Sequence, residues 1–173
     1  MEEILLFHDG EEELKRRKNM MSGSLKLFQF WRNVAIKTIE KSSVEQAVII
    51  PDGFNNNIHW NSGHIVANMD EKLHVYVGQD RELDERYYNA FLNGTSPNQW
   101  QNKNVPSLHE VIQKLNKQEQ TIQSNFEKIC NEPLTADFRG IESGEELLQF
   151  LVVHESLHIG VIKGIQYALN DKK

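Results

Sequence analysis

The amino-acid sequence predicts an all-α protein, a four-helix bundle with one long connection between its second and third helices. Three observations predict it. Apolar residues recur at three- and four-residue spacing in separate segments, as they do along one face of a helix. Residues that start or stop helices, among them Asn57, Gly78, Ser107, Pro133 and Ser143, punctuate those segments. Strict alternation never persists and β-branched runs are brief, so strand signals are weak.

Residues 1–22 are charge-rich and are expected to form an arm or leader helix, apart from a bundle domain at 23–173. The first bundle helix carries Leu27, Phe28, Trp31, Val34, Ala35, Thr38 and Ile39 on its core face. Ser42 and Ser43 interrupt it, and Val44–Ile50 leads into the turn Pro51-Asp52-Gly53. Asn55-Asn56-Asn57 offers caps for a second helix over roughly 58–77, which Gly78 ends. The connection at 79–106 is polar, with a short helix expected around Asp84–Leu92 and loop signals at Asn93-Gly94, Pro97 and Pro106. A connection of that length covers something or carries structure of its own. The third helix opens at Ser107, where Glu110 completes a capping box. Its core stripe is Leu108, Val111, Leu115, Ile122, Phe126 and Ile129, and Pro133 closes it. The last helix opens at Ser143 with Glu146 in a second capping box and runs to about Leu169, roughly 40 Å.

Composition narrows the function. A chain of 173 residues can bury the core of one domain without disulfides or other staples. No run approaches the roughly 18 apolar residues of a membrane span, so no membrane partner is expected. The short apolar run Ile4–Phe7 follows acids rather than the basic residues of a secretory signal, which points to the cytoplasm. The net charge of −6 argues against nucleic acid as a partner, and Lys15–Lys18 follow three glutamates, as on a solvated helix face. Cys130, the single cysteine, excludes an internal disulfide framework and a cysteine-rich zinc site, and is expected as a semi-buried structural thiol.

The last helix carries the sharpest chemical signal. Leu147, Leu151, His154, His158, Val161, Ile165 and Ala168 repeat at spacings of three and four, a core-facing seam that includes two histidines. Residues four apart lie one turn above each other, so both imidazoles can reach one metal ion. His154-Glu155-Ser156-Leu157-His158 also has the form H-E-x-x-H of zinc proteases. Those enzymes draw a third ligand from downstream, where this chain has neither histidine nor glutamate and only Asp171 in the tail. A third ligand must come from His8, His59, His64, His74 or His109. His59 and His64, about 140° apart round a helix, cannot both face one site. Gly63 beside His64 permits close approach, and Asn57, Asn61 and Asn68 share its face as partners for a ligand ring. By spacing alone His64 is either a ligand or a buried histidine satisfied by hydrogen bonds. Glu155 is a candidate base beside the site or a surface glutamate, and Trp60 and Trp31 either line a pocket or fill core.

The stretch from Asn57 to Ile65, NIHWNSGHI, followed by His154-Glu155-Ser156-Leu157-His158-Ile159-Gly160, resembles the DinB/YfiT-like superfamily over about residues 24–169. That resemblance implies a bacterial four-helix protein with a mononuclear site on His64, His154 and His158. It further implies a small-molecule substrate, a low-molecular-weight thiol as cosubstrate in a transferase reaction, and a homodimer, for which Phe28, Phe30 and Trp31 supply apolar surface. Three neutral histidines leave coordination positions open and suit zinc or nickel first, and also iron or copper. A metal-dependent hydrolase using activated water and a non-catalytic metal-binding stress protein are the alternatives.

Overall fold

In the computed structural model, which describes residues 23–170, side-chain caps set where the helices begin. Helix α1 spans 23–39, and Ser43 caps the single turn α2, Val44–Ala47, with a capping box. Asn57 accepts from the Trp60 amide to open α3, Ile58–Val77, and Gly78, left-handed at φ 71°, closes it. Asp84 caps α4, Glu85–Phe91, and a 3-10 turn follows at Pro97–Gln99. Ser107 and Glu110 form the expected capping box of α5, Leu108–Ser124. Ser143 Oγ accepts from the Glu146 amide at the start of α7, Gly144–Asn170. The arm expected at 1–22, with His8, and the tail with Asp171 lie outside the described residues.

Two elements differ from expectation. The third helix breaks at Asn125 (φ −106°, ψ 11°), so Phe126–Asn131 is a separate α6. Asparagine bonds its own neighbourhood and is neutral or worse inside a helix. After α6 comes an antiparallel hairpin, β1 Pro133–Phe138 and β2 Ile141–Ser143. Its two-residue turn, Arg139-Gly140, has positive φ at both positions (56° and 75°), the pattern of a type I′ turn. Every residue of β1 is exposed or half-buried, so no apolar alternation announces the strand.

The four long helices run up, down, down, up. Ser24 meets Glu145, Arg32 meets Glu155 and Thr38 meets Gln166, so α1 and α7 are parallel neighbours. Asn61 meets His158 and Asn68 meets His154, so α3 opposes α7. His59 meets Pro106 and Val66 meets Gln118, so α3 and α5 are parallel. Parallel neighbours need a crossover, which is why the connection at 79–106 is long. It also covers α3: Phe91 packs where a side chain at Gly63 would overlap its ring, and the Tyr88 hydroxyl donates to Asp70.

The stripe expected from Leu108 to Ile129 is buried across α5 and α6, and that of α7 is rolled. Its buried residues are Leu147, Leu148, Leu151, Val152, Glu155, Ile159, Ile162 and Ile165. Val161 is therefore exposed, Ala168 half-buried, and His154 and His158 stand on the flank that faces α3. On α1, Phe28 is fully buried rather than surface, Trp31 is half-buried and Leu27 and Phe30 are exposed. Among the described residues no helix is long and apolar enough to cross a membrane.

Candidate metal centre

Three rings converge between α3 and α7. One nitrogen from each of His64, His154 and His158 lies within 4.8 Å of the others. His154 and His158, one turn apart on α7, bring their Nε2 atoms to 3.3 Å. His64 is buried and enters from α3, its ring 5.2 Å from that of His154 and 4.7 Å from that of His158, centroid to centroid.

The outward nitrogens are all engaged. His64 Nδ1 lies 2.6 Å from the carbonyl of Phe91, and a carbonyl can only accept, so that nitrogen carries the proton. Asn61 donates its amide to the Asn57 carbonyl at 2.7 Å, which turns its oxygen to His158 Nδ1 at 2.8 Å. His158 is thereby also protonated on Nδ1. The Nε2 lone pairs of both rings are left free. The Asn68 amide lies 3.4 Å from His154 Nδ1, and His154 alone can carry its proton on either nitrogen. Trp60 stacks on His64 at 4.7 Å and 9°, held by a hydrogen bond from Nε1 to Thr95 Oγ1, so it belongs both to the core and to the wall of the site.

Burial disfavours the charged imidazolium in all three rings. It lowers His64 below the ordinary histidine value. Burial first, then His64 and Lys72, push His154 down to about 4. Burial again, then His64 and His154, push His158 down to about 3. The three are neutral at pH 7, the state in which imidazole ligates metals.

The other candidates fall elsewhere. His59 is buried against Pro106, Trp100 and Phe91 on another side of α3. His74 is exposed and bonded to the Gln79 carbonyl, and His109 is exposed beside Gln113. Glu155 is neither a surface residue nor aimed at the triad. It is 1% exposed, and Arg32 binds both its oxygens at 3.0 Å through Nε and Nη2. Nothing in its spacing distinguished it, since α7 is apolar on nearly every side. Cys130 is buried in α6, and burial pushes its thiol up to about 12.

The sequence model of the DinB superfamily matches residues 27–162, which include all three histidines. The chain belongs to the DinB superfamily. A comparison with curated proteins finds no match. Proteins of the DinB superfamily are metal-binding, and the donor set here fits that chemistry: three neutral nitrogens, inward lone pairs and hydrogen-bonded outer nitrogens. Two features around the triad went unread in the sequence. The partner of His64 is a backbone carbonyl and leaves no side-chain signature. Arg32 is a buried cation in an otherwise apolar stripe, where periodicity gives no reason to look for one.

Proposed function

We propose that His64, His154 and His158 hold one divalent metal ion, and that this DinB-superfamily protein is a metal-dependent enzyme that transfers a low-molecular-weight thiol to a small electrophile. One observation carries the metal assignment. The lone pairs of His64 and His158 are locked inward by Phe91 and Asn61, toward a third ring whose Nε2 is 3.3 Å from that of His158. Inward lone pairs repel unless a cation or a proton lies between them. Two nitrogens on a tetrahedral ion at about 2.0–2.1 Å stand about 3.3 Å apart, which matches.

Zinc and nickel suit an all-imidazole set, as do iron and copper. A divalent ion on neutral ligands keeps its full charge, and the chemistry it supplies when bound is to favour a thiolate over a thiol at neutral pH. The chain's own residues hold that chemistry in place. Phe91 and Asn61 keep the proton of each ring on Nδ1, and Trp60 excludes water from the His64 side. In the transfer the sulfur forms a bond to an electrophilic carbon, the leaving group departs with the electron pair, and the thiol proton passes to solvent. Among the described residues no carboxylate joins the histidine cluster. That favours an incoming thiol over hydrolysis assisted by a protein base, since Glu155 is held by Arg32.

The test is elemental analysis of protein purified without added metal and without a histidine tag, followed by assays with small thiols and a chromogenic electrophile. One ion per chain is expected, lost in His154→Ala and kept in His74→Ala. Full retention in His154→Ala would sink the metal assignment. A rate unchanged in His158→Ala would sink the transferase assignment.

A further inference from the structure

A cationic, aromatic rim stands beside the triad. Phe150 stacks near His154, centroids 6.5 Å apart at 19°, and meets Phe138 of β1 edge-on at 5.2 Å. Two cations rest on these rings. The Arg139 guanidinium is 5.8 Å from the Phe138 centroid and 5.7 Å from that of Phe150. Lys72 Nζ is 5.9 Å from the Phe138 centroid and 5.7 Å from that of Tyr76. Lys72 follows Asn68 by one turn of α3, and Asn68 touches His154, so α3 and the hairpin bring their cations to the same side of the site.

Arg139 is out of place as a structural residue. It occupies the first central position of the type I′ turn at φ 56°, where Asn, Asp or Gly fits with less strain. Among the described residues it makes no hydrogen bond and no ion pair; its only partners are the two ring faces. Lys72 is paired with the neighbouring Glu71 at 3.1 Å. A guanidinium whose partners among the described residues are aromatic rings keeps its N–H groups open to a ligand, and their fork matches the two oxygens of a carboxylate or phosphate. A strained backbone position held by an exposed cation, with no ion pair among the described residues and one ring away from His154, is what a binding residue looks like.

We infer that the small molecule handled at the triad carries an anionic oxygen group, a carboxylate or phosphate, which Arg139 binds with Lys72 across the Phe138 ring while its reacting end lies at the histidines. This rests on the metal reading above and adds the substrate class to it. The chain's net charge of −6 repels anions in general, so cations at this rim favour an anion against that background.

The experiment uses cobalt-loaded full-length protein, whose visible bands report both the histidine ligation and the arrival of a sulfur ligand. Titration with 6-mercaptohexanoate and 6-mercaptohexanol compares two thiols of equal length that differ in one charge and whose far ends are too remote to chelate the ion. The carboxylate is expected to bind about tenfold more tightly, a preference that shrinks in molar salt. Arg139→Asn, which keeps a residue the turn favours, combined with Lys72→Gln should bring the preference to about one and leave the neutral thiol's affinity unchanged. Equal affinity of the two thiols for wild type, or a preference that survives the double variant, overturns the inference and leaves the metal reading standing. Cobalt bands that are the same in His154→Ala overturn both.

Discussion

Replacing Asn61 by leucine tests whether the ring tautomers, rather than the mere nearness of three histidines, make the site. The change removes the acceptor 2.8 Å from His158 Nδ1 and puts an apolar group in its place. In the metal-bound state Nε2 must keep its lone pair, so the proton stays on Nδ1 and is left without a partner. An unsatisfied buried donor costs about 1–3 kcal/mol. The metal-free protein escapes that cost, because the ring can move its proton to Nε2 and donate to His154 Nε2 at 3.3 Å. The penalty therefore falls on affinity, about 5- to 150-fold at about 1.4 kcal/mol per decade, in line with about 10–100-fold for partners of ligating histidines elsewhere. Asn61→Asp is the control. Like leucine it loses the bond to the Asn57 carbonyl, but it keeps an oxygen for the ring. Competition against a chromophoric chelator gives the affinities, and urea unfolding of metal-free protein shows whether each variant is folded. The leucine variant binding within about twofold of wild type, or the aspartate variant as weak as leucine, would refute the tautomer argument.

Two other perturbations are expected to read out the surroundings of the triad. Glu155→Gln leaves Arg32 as an uncompensated buried charge and should cost about 3–5 kcal/mol in urea unfolding, while Arg32→Met with Glu155→Leu recovers most of it; equal stability of wild type and the single variant would contradict the buried pair. Cys130, with burial holding its thiol near 12, should react with iodoacetamide at pH 8.5 about 10³-fold more slowly in native than in unfolded protein, and fast native labelling would reopen it as a source of the attacking sulfur.

Much of the fold was legible because local chemistry set it. Asn57, Gly78, Ser107 and Ser143 stand at the ends where caps were expected, and the α5 stripe from Leu108 to Ile122 is buried as its period requires. The two α7 histidines were legible for the same reason, since four-residue spacing stacks side chains whatever surrounds the helix. The hairpin was not, because β1 buries no alternate face and its turn carries Arg-Gly rather than Asn-Gly. The roll of α7 was not legible either. With apolar residues at 147, 148, 151, 152, 159, 161, 162 and 165, period alone allows more than one buried stripe, and the one chosen by the fold has a glutamate at its centre.

That glutamate explains how the roll is decided. The apolar core forms two clusters, one with Ile36, Val66, Leu115 and Ile162, the other with Phe28, Met69, Ile122 and Val152. Every long helix passes from one cluster to the other at a buried polar residue: Arg32 on α1, Asn68 on α3, Gln118 on α5 and Glu155 on α7. Arg32 joins three of the helices to its own, donating to Glu155, to Gln118 Oε1 and the Leu115 carbonyl, and reaching Met69 Sδ. Gln118 in turn donates to the Val66 carbonyl. A charged pair that must be fully bonded tolerates neither a slide nor a roll of α7, whereas an apolar stripe would accept several. His154 is the residue next to Glu155, about 100° round the helix, and Asn68 of the same layer touches its ring. The layer thus fixes the height and direction at which the α7 histidines meet His64. Glu155 acts on the site by setting the register of the helix that carries two of its three histidines.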